Sequence, residues 1–348
     1  MKNIYHILSA AVMAMAALSC TKDIDIYVET PAPATVPLTV SVGSVSTRAI
    51  VSGDEDKNIY NVQVVVFNED GKLEKSTNLV TNTTKLTLDV LPGKKTVWAV
   101  ANLLSKISES SIPTAADLSS RIIEFDSNTI NKLTMSASAE KTVSLDDATL
   151  ELKLKHLACK VVIDGIKRDF SNTAYAGILL TIKKIYLSNV VGKCSIGCEG
   201  ELSNIWYNKL GVIPIDLAPA VKAMTVDDGL SIDLPEGGSY TTTHSFYAFP
   251  NNCTDPTYGG SWTPRRTRLV LECDYGGRTC YYPVSLPQNA SKPLVRNKVY
   301  HISLLTLKKP GSTSADDPHT EVSSTISFTV DIKVSEWEDD ASYTEEYK

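Results

Sequence analysis

The chain has 348 residues, 43% of them hydrophobic, and its 34 Lys and Arg against 40 Asp and Glu leave a formal net charge of −6. That length holds a sizeable core and favours two domains over one. The acidic balance, with basic residues scattered along the chain, argues against nucleic acid as a partner.

The N-terminus reads as a sorting signal. Lys2 opens it, an apolar run of fifteen residues extends from Ile4 to Leu18, and Ser19-Cys20 closes it. At about 1.5 Å of rise per residue such a run falls short of a bilayer, so residues 1–19 are an export signal and not a span. Cys20 follows "AALS" in the manner of a lipobox, where it would be acylated and anchor the chain to a membrane. An ordinary secretory signal with a chance cysteine is the other reading. Residues 20–48 hold a polar, proline-rich tether and then a first strand, in which Val36, Leu38, Val40 and Val42 alternate with Pro37, Thr39, Ser41 and Gly43. Small polar residues follow, leading to Arg48-Ala49. Arg48 is the only arginine before Arg121.

Gly, Pro, Ser, Thr and Asn recur between short β-branched runs from here on, the texture of an all-β protein. "NIYNVQVVVFN" (58–68) is nearly all apolar and ends in a turn at Asp70-Gly71. "TKLTLDVL" (84–91) alternates, and "KKTVWAVANL" (94–103) returns after Pro92-Gly93. "PTAADLSSRII" (113–123), with Thr114 as N-cap and Leu118, Ile122 and Ile123 at helical spacing, is the one short helix expected. "ATLELKLKHLACKVVIDGI" (148–166) reads as two strands or one long bent one, and "AGILLTIKKIYLSNVV" (176–191) as another. A second block begins near 195, with strands expected over 240–250, 267–275, 278–286, 298–307 and 324–337. Turn signals separate them at the spacing of β-sandwiches. The chain is therefore expected to hold an N-terminal sandwich domain (49–195) and a C-terminal one (196–348).

No motif carries catalysis. No βαβ alternation, phosphate loop or nucleophile elbow appears, so no enzyme and no cofactor are expected. The tight basic group "RRTR" (265–268) reads as a solvated loop. Six cysteines follow Cys20: Cys159, Cys194, Cys198, Cys253, Cys273 and Cys280. If Gly276-Gly277 form a two-residue hairpin turn, Cys273 and Cys280 face each other and could form a disulfide. Cys194 and Cys198 are four residues apart, but none of the five histidines joins them at ligand spacing, so no metal is expected.

The two ends of the chain rhyme. Ile326, Phe328, Val330, Ile332 and Val334 alternate with polar residues as Val36, Leu38, Val40 and Val42 do, but the C-terminal run is longer and bulkier. Trp337 falls out of phase, which calls for a bulge or a strand end near Ser335-Glu336. One reading connects these features. The first strand would fill a groove until an arginine-specific protease cuts between Arg48 and Ala49, and the terminal strand of a second copy would then enter the bare groove. Such a head-to-tail contact need not close. On pattern alone, Arg48 in an ordinary loop with both strands kept in their own sheets is the favoured reading, since alternation marks any half-buried strand.

Several phrases together resemble the fimbrillins of Bacteroidales, the type V pilins that include the major fimbrial subunits. They are the lipobox at Cys20, "VPLTVSVGSVSTRAI", "NVQVVVFNEDGKLEK", "GKKTVWAVANL", "ELKLKHLACKVVI", "FYAFPNN", "RNKVYHISLLTLKKPG" and "ISFTVDIKVSEW". The resemblance implies two transthyretin-like, Greek-key β-sandwich domains in tandem. It implies export as an outer-membrane lipoprotein on Cys20, removal of the first strand at Arg48-Ala49 by a surface protease, and donor-strand exchange through residues 324–337. The partners would be other fimbrial subunits in an adhesive fimbrium, with the host or bacterial surface ligand unspecified. A tip or adhesin subunit is an alternative role within the same family. A monomeric glycan-binding lipoprotein, using Trp206, Trp262 or Tyr281, is the alternative outside it.

Overall fold

Period-two alternation decides the place of β1 (Val36–Gly43): its apolar residues are buried and its intervening ones face outward, as a half-covered strand requires. The computed structural model describes residues 34–43, 56, 58–171, 174–198, 203–255, 261–287, 292–316, 328–337 and 345–347. β1 lies in a three-stranded sheet, between β3 (Lys85–Val90) and β6 (Thr149–Lys153). The facing sheet carries β2 (Asn61–Phe67), β4 (Gly93–Ala101) and β5 (Met135–Val143), flanked by Leu73–Ser76 and Lys155–His156.

The near-continuous apolar run of β2 has a simple cause, since both of its faces are covered. Val62, Val64 and Val66 enter the core between the two sheets, whereas Val65 and Phe67 enter a second core under residues 103–133. Gln63, on that second face, is fully buried but satisfied: its amide donates to Ser76 Oγ at 2.8 Å and Ile107 O at 3.0 Å, and accepts from Ile107 N–H at 2.8 Å. The helix α1 (Ala115–Ser120) starts where expected. Thr114 Oγ1 accepts from Asp117 N–H at 3.2 Å and Asp117 Oδ2 accepts from Thr114 N–H at 3.0 Å, a reciprocal capping box. It stops earlier than its apolar spacing suggests, because Ile122–Glu124 pairs as a short strand with Lys193–Ser195.

The segment 148–166 hops between sheets. β6 pairs with β1, Lys155–His156 pairs with β5, and β7 (Cys159–Ile163) pairs with strands of the second half. Sheet partners therefore change between His156 and Cys159, not near 195 as the sequence spacing suggests. Contacts gather Thr35–Lys348 into one compact unit. Its second sandwich opposes two sheets. One pairs β8 (Leu180–Ser188) with β10 (Arg268–Tyr275) and β10 with β11 (Arg278–Ser285). The other joins β7 to β9 (His244–Ala248) and β12 (Lys298–Leu307), then continues to β13 (Phe328–Glu336) and β14 (Glu345–Tyr347). Val161, Ile163, Ile302 and Leu305 of one sheet meet Leu180, Ile182, Leu269 and Leu271 of the other in a single core. A second helix, α2 (Pro219–Thr225), departs from the single helix expected; Pro219 at its first turn and buried Val221 and Met224 were its signals.

The "RRTR" group is not a solvated loop. Arg265, Arg266 and Arg268 are 5%, 4% and 0% exposed. Asp316 binds Arg265 and lies 3.4 Å from Arg268, while Asp255 lies 2.7 Å from Arg268 and 3.7 Å from Arg266. Distant segments thus supply the counter-charges that allow burial. Asp316→Ala removes the buried partner of two guanidinium groups and is expected to lower stability by about 3–5 kcal/mol. Urea unfolding should show a reduced midpoint with an unchanged slope.

Candidate functional site at the first-strand slot and the terminal strand

β1 is the first strand of the described chain, yet it occupies the middle of its sheet. It runs antiparallel to β3, from Val36 opposite Val90 to Ser41 opposite Lys85, and parallel to β6, from Thr39 opposite Thr149 to Gly43 opposite Lys153. Val36, Leu38, Val40 and Val42 are 2%, 0%, 0% and 4% exposed and pack among Val62, Val64, Leu86, Leu88 and Val97. At about 1.5–3 kcal/mol for each of these four buried side chains, β1 contributes about 6–12 kcal/mol of gross apolar burial. Its backbone also closes the edges of two neighbours at once. Arg48 and Ala49 lie outside the described residues, as does Cys20.

The terminal strand is held differently. β13 lies antiparallel on β12, from Phe328 opposite Leu307 to Glu336 opposite Lys298, with a register shift between Ile302 and Leu304. On its other edge, among the described residues, β14 pairs with Ile332–Val334. Ile332 is fully buried, whereas Val330 and Val334 are half-buried. Ile326 lies outside the described residues. Seen side by side, the first strand is gripped on both edges and the last mainly on one.

The strand ends at Glu336, and Trp337 turns into a seat of its own. It is 5% exposed, and its N–H donates to Asn297 O at 3.0 Å. Its indole stacks on His156 (centroids 4.2 Å apart, planes at 17°) and on Tyr247 (5.8 Å, 24°), with Lys160 Nζ 5.9 Å from the ring. Asp56 closes the seat from behind. It accepts from Lys160 at 2.6 Å and from Tyr247 OH at 3.0 Å, and its backbone carbonyl accepts from His156 Nε2 at 2.9 Å. Asp56 follows Arg48-Ala49 in the sequence before β2, so a residue soon after the expected cleavage point and the residue that follows β13 meet at one place. The phase break at Trp337 pointed to the strand end seen at Glu336; nothing in the sequence hinted at the seat or at Asp56, His156 and Tyr247 as its base.

The other expected sites are placed as follows. Cys273 and Cys280 face each other in register across a turn at Gly276 (φ 61°) and Gly277 (φ 85°), as the spacing requires. Both are free thiols packed as small apolar side chains, and burial pushes both thiol pKa values up. Trp206 is 7% exposed and packs edge-on against Trp262 at 5.5 Å; Trp262 and Tyr281 are half-buried. These three therefore form no open aromatic platform. Among the described residues, no group of three or more His, Cys, Asp or Glu is placed to hold a metal. No described helix is long and apolar enough to cross a membrane.

Comparison with known proteins agrees with this architecture. A family described as major fimbrial subunit protein (FimA) matches residues 34–162, which takes in β1 to β7 without the last residue of β7. A second, described as major fimbrial subunit protein type IV, fimbrillin, C-terminal, matches residues 274–342, which takes in β11 to β13. A fimbrilin from Porphyromonas gingivalis W83 superposes with a TM-score of 0.59 at 15% identity, covering 87% of this chain and 98% of that one. A candidate cell adhesion protein from Bacteroides eggerthii DSM 20697 gives 0.60 at 20% identity, covering 88% and 97%. One from Parabacteroides distasonis ATCC 8503 gives 0.59 at 16% identity, covering 87% and 100%. No curated protein matches the chain. The fold is that of the fimbrial β-sandwich proteins. Two models of fimbrial-subunit families thus match this chain, one toward its N-terminus and one toward its C-terminus.

The Trp337 seat is expected to respond to pH through His156. Burial, helped by the charge of Arg296, holds His156 below its ordinary pKa, against the opposing bond to Asp56. The unfolded chain thus binds this proton more readily, so the stability His156 contributes is complete above about pH 6.5 and declines as pH falls below it. Thermal unfolding at pH 7.5 and 5.5 should show a loss of Tm on acidification. That loss should be smaller in His156→Phe, which keeps a stacking ring but cannot titrate.

Proposed function

We propose that this chain is a structural, non-enzymatic fimbrial subunit of an adhesive surface fimbrium. In this reading it is exported as an outer-membrane lipoprotein on Cys20, loses β1 by cleavage between Arg48 and Ala49, and polymerises head-to-tail. Its two sandwiches act as tandem domains, with the division at residues 157–159. The observation that supports the scheme is the mid-sheet position of β1, the first strand of the described residues.

The energetics run in one direction. Loss of β1 leaves both β3 and β6 with unpaired N–H and C=O groups and exposes the lining of a slot built for alternate apolar side chains. A neighbour's Ile326, Phe328, Val330, Ile332 and Val334 match that period. In its own subunit the tail satisfies one long edge, that of β12; in the slot it satisfies two. What the tail gives up is the β12 ladder, the Lys298–Glu336 ion pair and the Trp337 seat. Because slot and tail are different surfaces, the contact is heterologous and extends as a filament.

Treatment of the full-length protein with an arginine-specific protease tests the scheme. Cleavage after Arg48 should convert monomer into a ladder of high-mass oligomers on size exclusion and electron microscopy, and Arg48→Ala should remain monomeric. A chain truncated after Pro318 should fold, be cleaved and fail to join. Cleavage at Arg48 that leaves a monomer with its original Tm would overturn the reading.

A further inference from the structure

The segment Lys193–Cys198 belongs to the second half of the chain but is fastened to the first. Cys194 pairs with Ile123, Ile196 N–H donates to Arg121 O at 2.9 Å, and Gly197 N–H donates to Ser119 O at 2.8 Å. Gly197 must be glycine for this approach, since a Cβ there would meet Ser119 Oγ at 2.1 Å. The turn closes on itself through Cys198 N–H to Ser195 O at 2.9 Å, and Cys198 is held at φ 54°, a backbone that non-glycine residues rarely adopt. This geometry brings Cys194 Sγ and Cys198 Sγ to 3.1 Å, and both side chains remain partly exposed.

The two sulfurs line a groove of about 380 Å³ with Lys193, Asn252, Leu294 and Arg296. Arg296 is fixed in place by carbonyls of the first sandwich: its Nε donates to His156 O at 3.0 Å and its Nη2 to Lys155 O at 2.6 Å. Cys194's hydrogen bond, followed by the charge and hydrogen bond of Arg296, holds the Cys198 thiol below its ordinary range. The same pairing pushes Cys194 up. The two thiols thus have unequal roles: one is ready to be a thiolate, while the other keeps its proton beside it. By contrast, Cys273 and Cys280 are sealed in the core.

We propose that Cys194 and Cys198 are a redox-active dithiol that closes to a disulfide at the junction of the two sandwiches. The oxidant is a disulfide: a small-molecule one, or that of a thiol oxidoreductase acting on exported proteins. Cys198 thiolate attacks one sulfur of R–S–S–R, forming a mixed disulfide and releasing RS⁻, which takes up a proton. Cys194 then gives up its proton and attacks Cys198 Sγ, releasing the second RS⁻. Overall, two protein thiols are oxidised to one disulfide and the oxidant is reduced to two thiols. The cationic rim of Lys193 and Arg296 suits an oxidant that carries carboxylates, such as glutathione disulfide. Closure fixes the turn that fastens the second sandwich to α1 and Ile122–Glu124 of the first. The site does not depend on polymerisation.

The test exposes the reduced full-length protein to glutathione disulfide across pH 6–9, followed by alkylation and peptide mass mapping. Wild type should lose two hydrogens in the peptide holding Cys194 and Cys198, with a rate midpoint below that of a free thiol near pH 8.5. Cys194→Ser should stop at a glutathione adduct on Cys198, and Cys198→Ser should react at least ten-fold more slowly at Cys194. Arg296→Lys should keep the charge but lose the forked contacts, and so retain an intermediate rate. The proposal fails if both thiols stay reduced, if either pairs with Cys253 instead, or if the two serine variants react at equal rates.

Discussion

The structure depends on one backbone constraint: a strand in the middle of a sheet closes two edges, and a strand laid on its outside closes one. β1 holds the first position and β13 comes close to holding only the second. Unpaired backbone groups in a buried slot are costly whichever side chains surround them. Removing β1 would therefore have consequences that removing an edge strand would not. The four buried side chains of β1 reinforce the effect but do not create it.

The same constraint explains what was legible in the sequence. β1 and β3 show alternation because one face is covered, and β2 shows none because Val65 and Phe67 are buried on the face opposite Val62, Val64 and Val66. Thr114 and Gly276-Gly277 act through their nearest neighbours, so their effects could be read from a few letters. Even the end of β13 was visible, since Trp337 broke the period of its strand. What could not be read depended on partners far along the chain. Arg265, Arg266 and Arg268 look solvated until Asp255 and Asp316 are placed beside them. The hop from β6 to β7 leaves no mark, because each short piece alternates properly and only its partner changes. Asp56, His156 and Tyr247 carry no shared pattern either; they meet only because three separate segments converge under one indole.

That convergence links the two ends of the molecule. Asp56 belongs to the connection between β1 and β2, and it braces Lys160, Tyr247 and His156 beneath Trp337. In the proposed scheme, cleavage alters the chain just upstream of the residue that braces the tail's anchor. The buried knot at Asp316 lies on the other side of the tail's connection and ties the chain to β10 through Arg268. In that scheme, the tail would part from β12 while the chain before it stays tied to β10 of the facing sheet by ionic contacts that do not involve β13.

Why such a molecule would stay monomeric before cleavage follows from concentration rather than contact strength. β1 is covalently joined to its own slot, and a short tether holds a strand at an effective concentration in the millimolar range. A neighbour's tail competes at its bulk concentration. If that is micromolar, the tethered strand starts with an advantage of about a thousand-fold, or about 4 kcal/mol. The longer and bulkier tail need not lose on side chains to be excluded; it need only fail to overcome that difference. Cutting the chain between β1 and β2 cancels the tether's advantage without altering a contact in the slot. Thereafter, side-chain volume and ladder length decide, and both favour the tail. In the proposed scheme, the Arg48-Ala49 bond, between a good core strand and the rest of the sandwich, is thus where one peptide bond would carry the difference between a stored subunit and a growing filament.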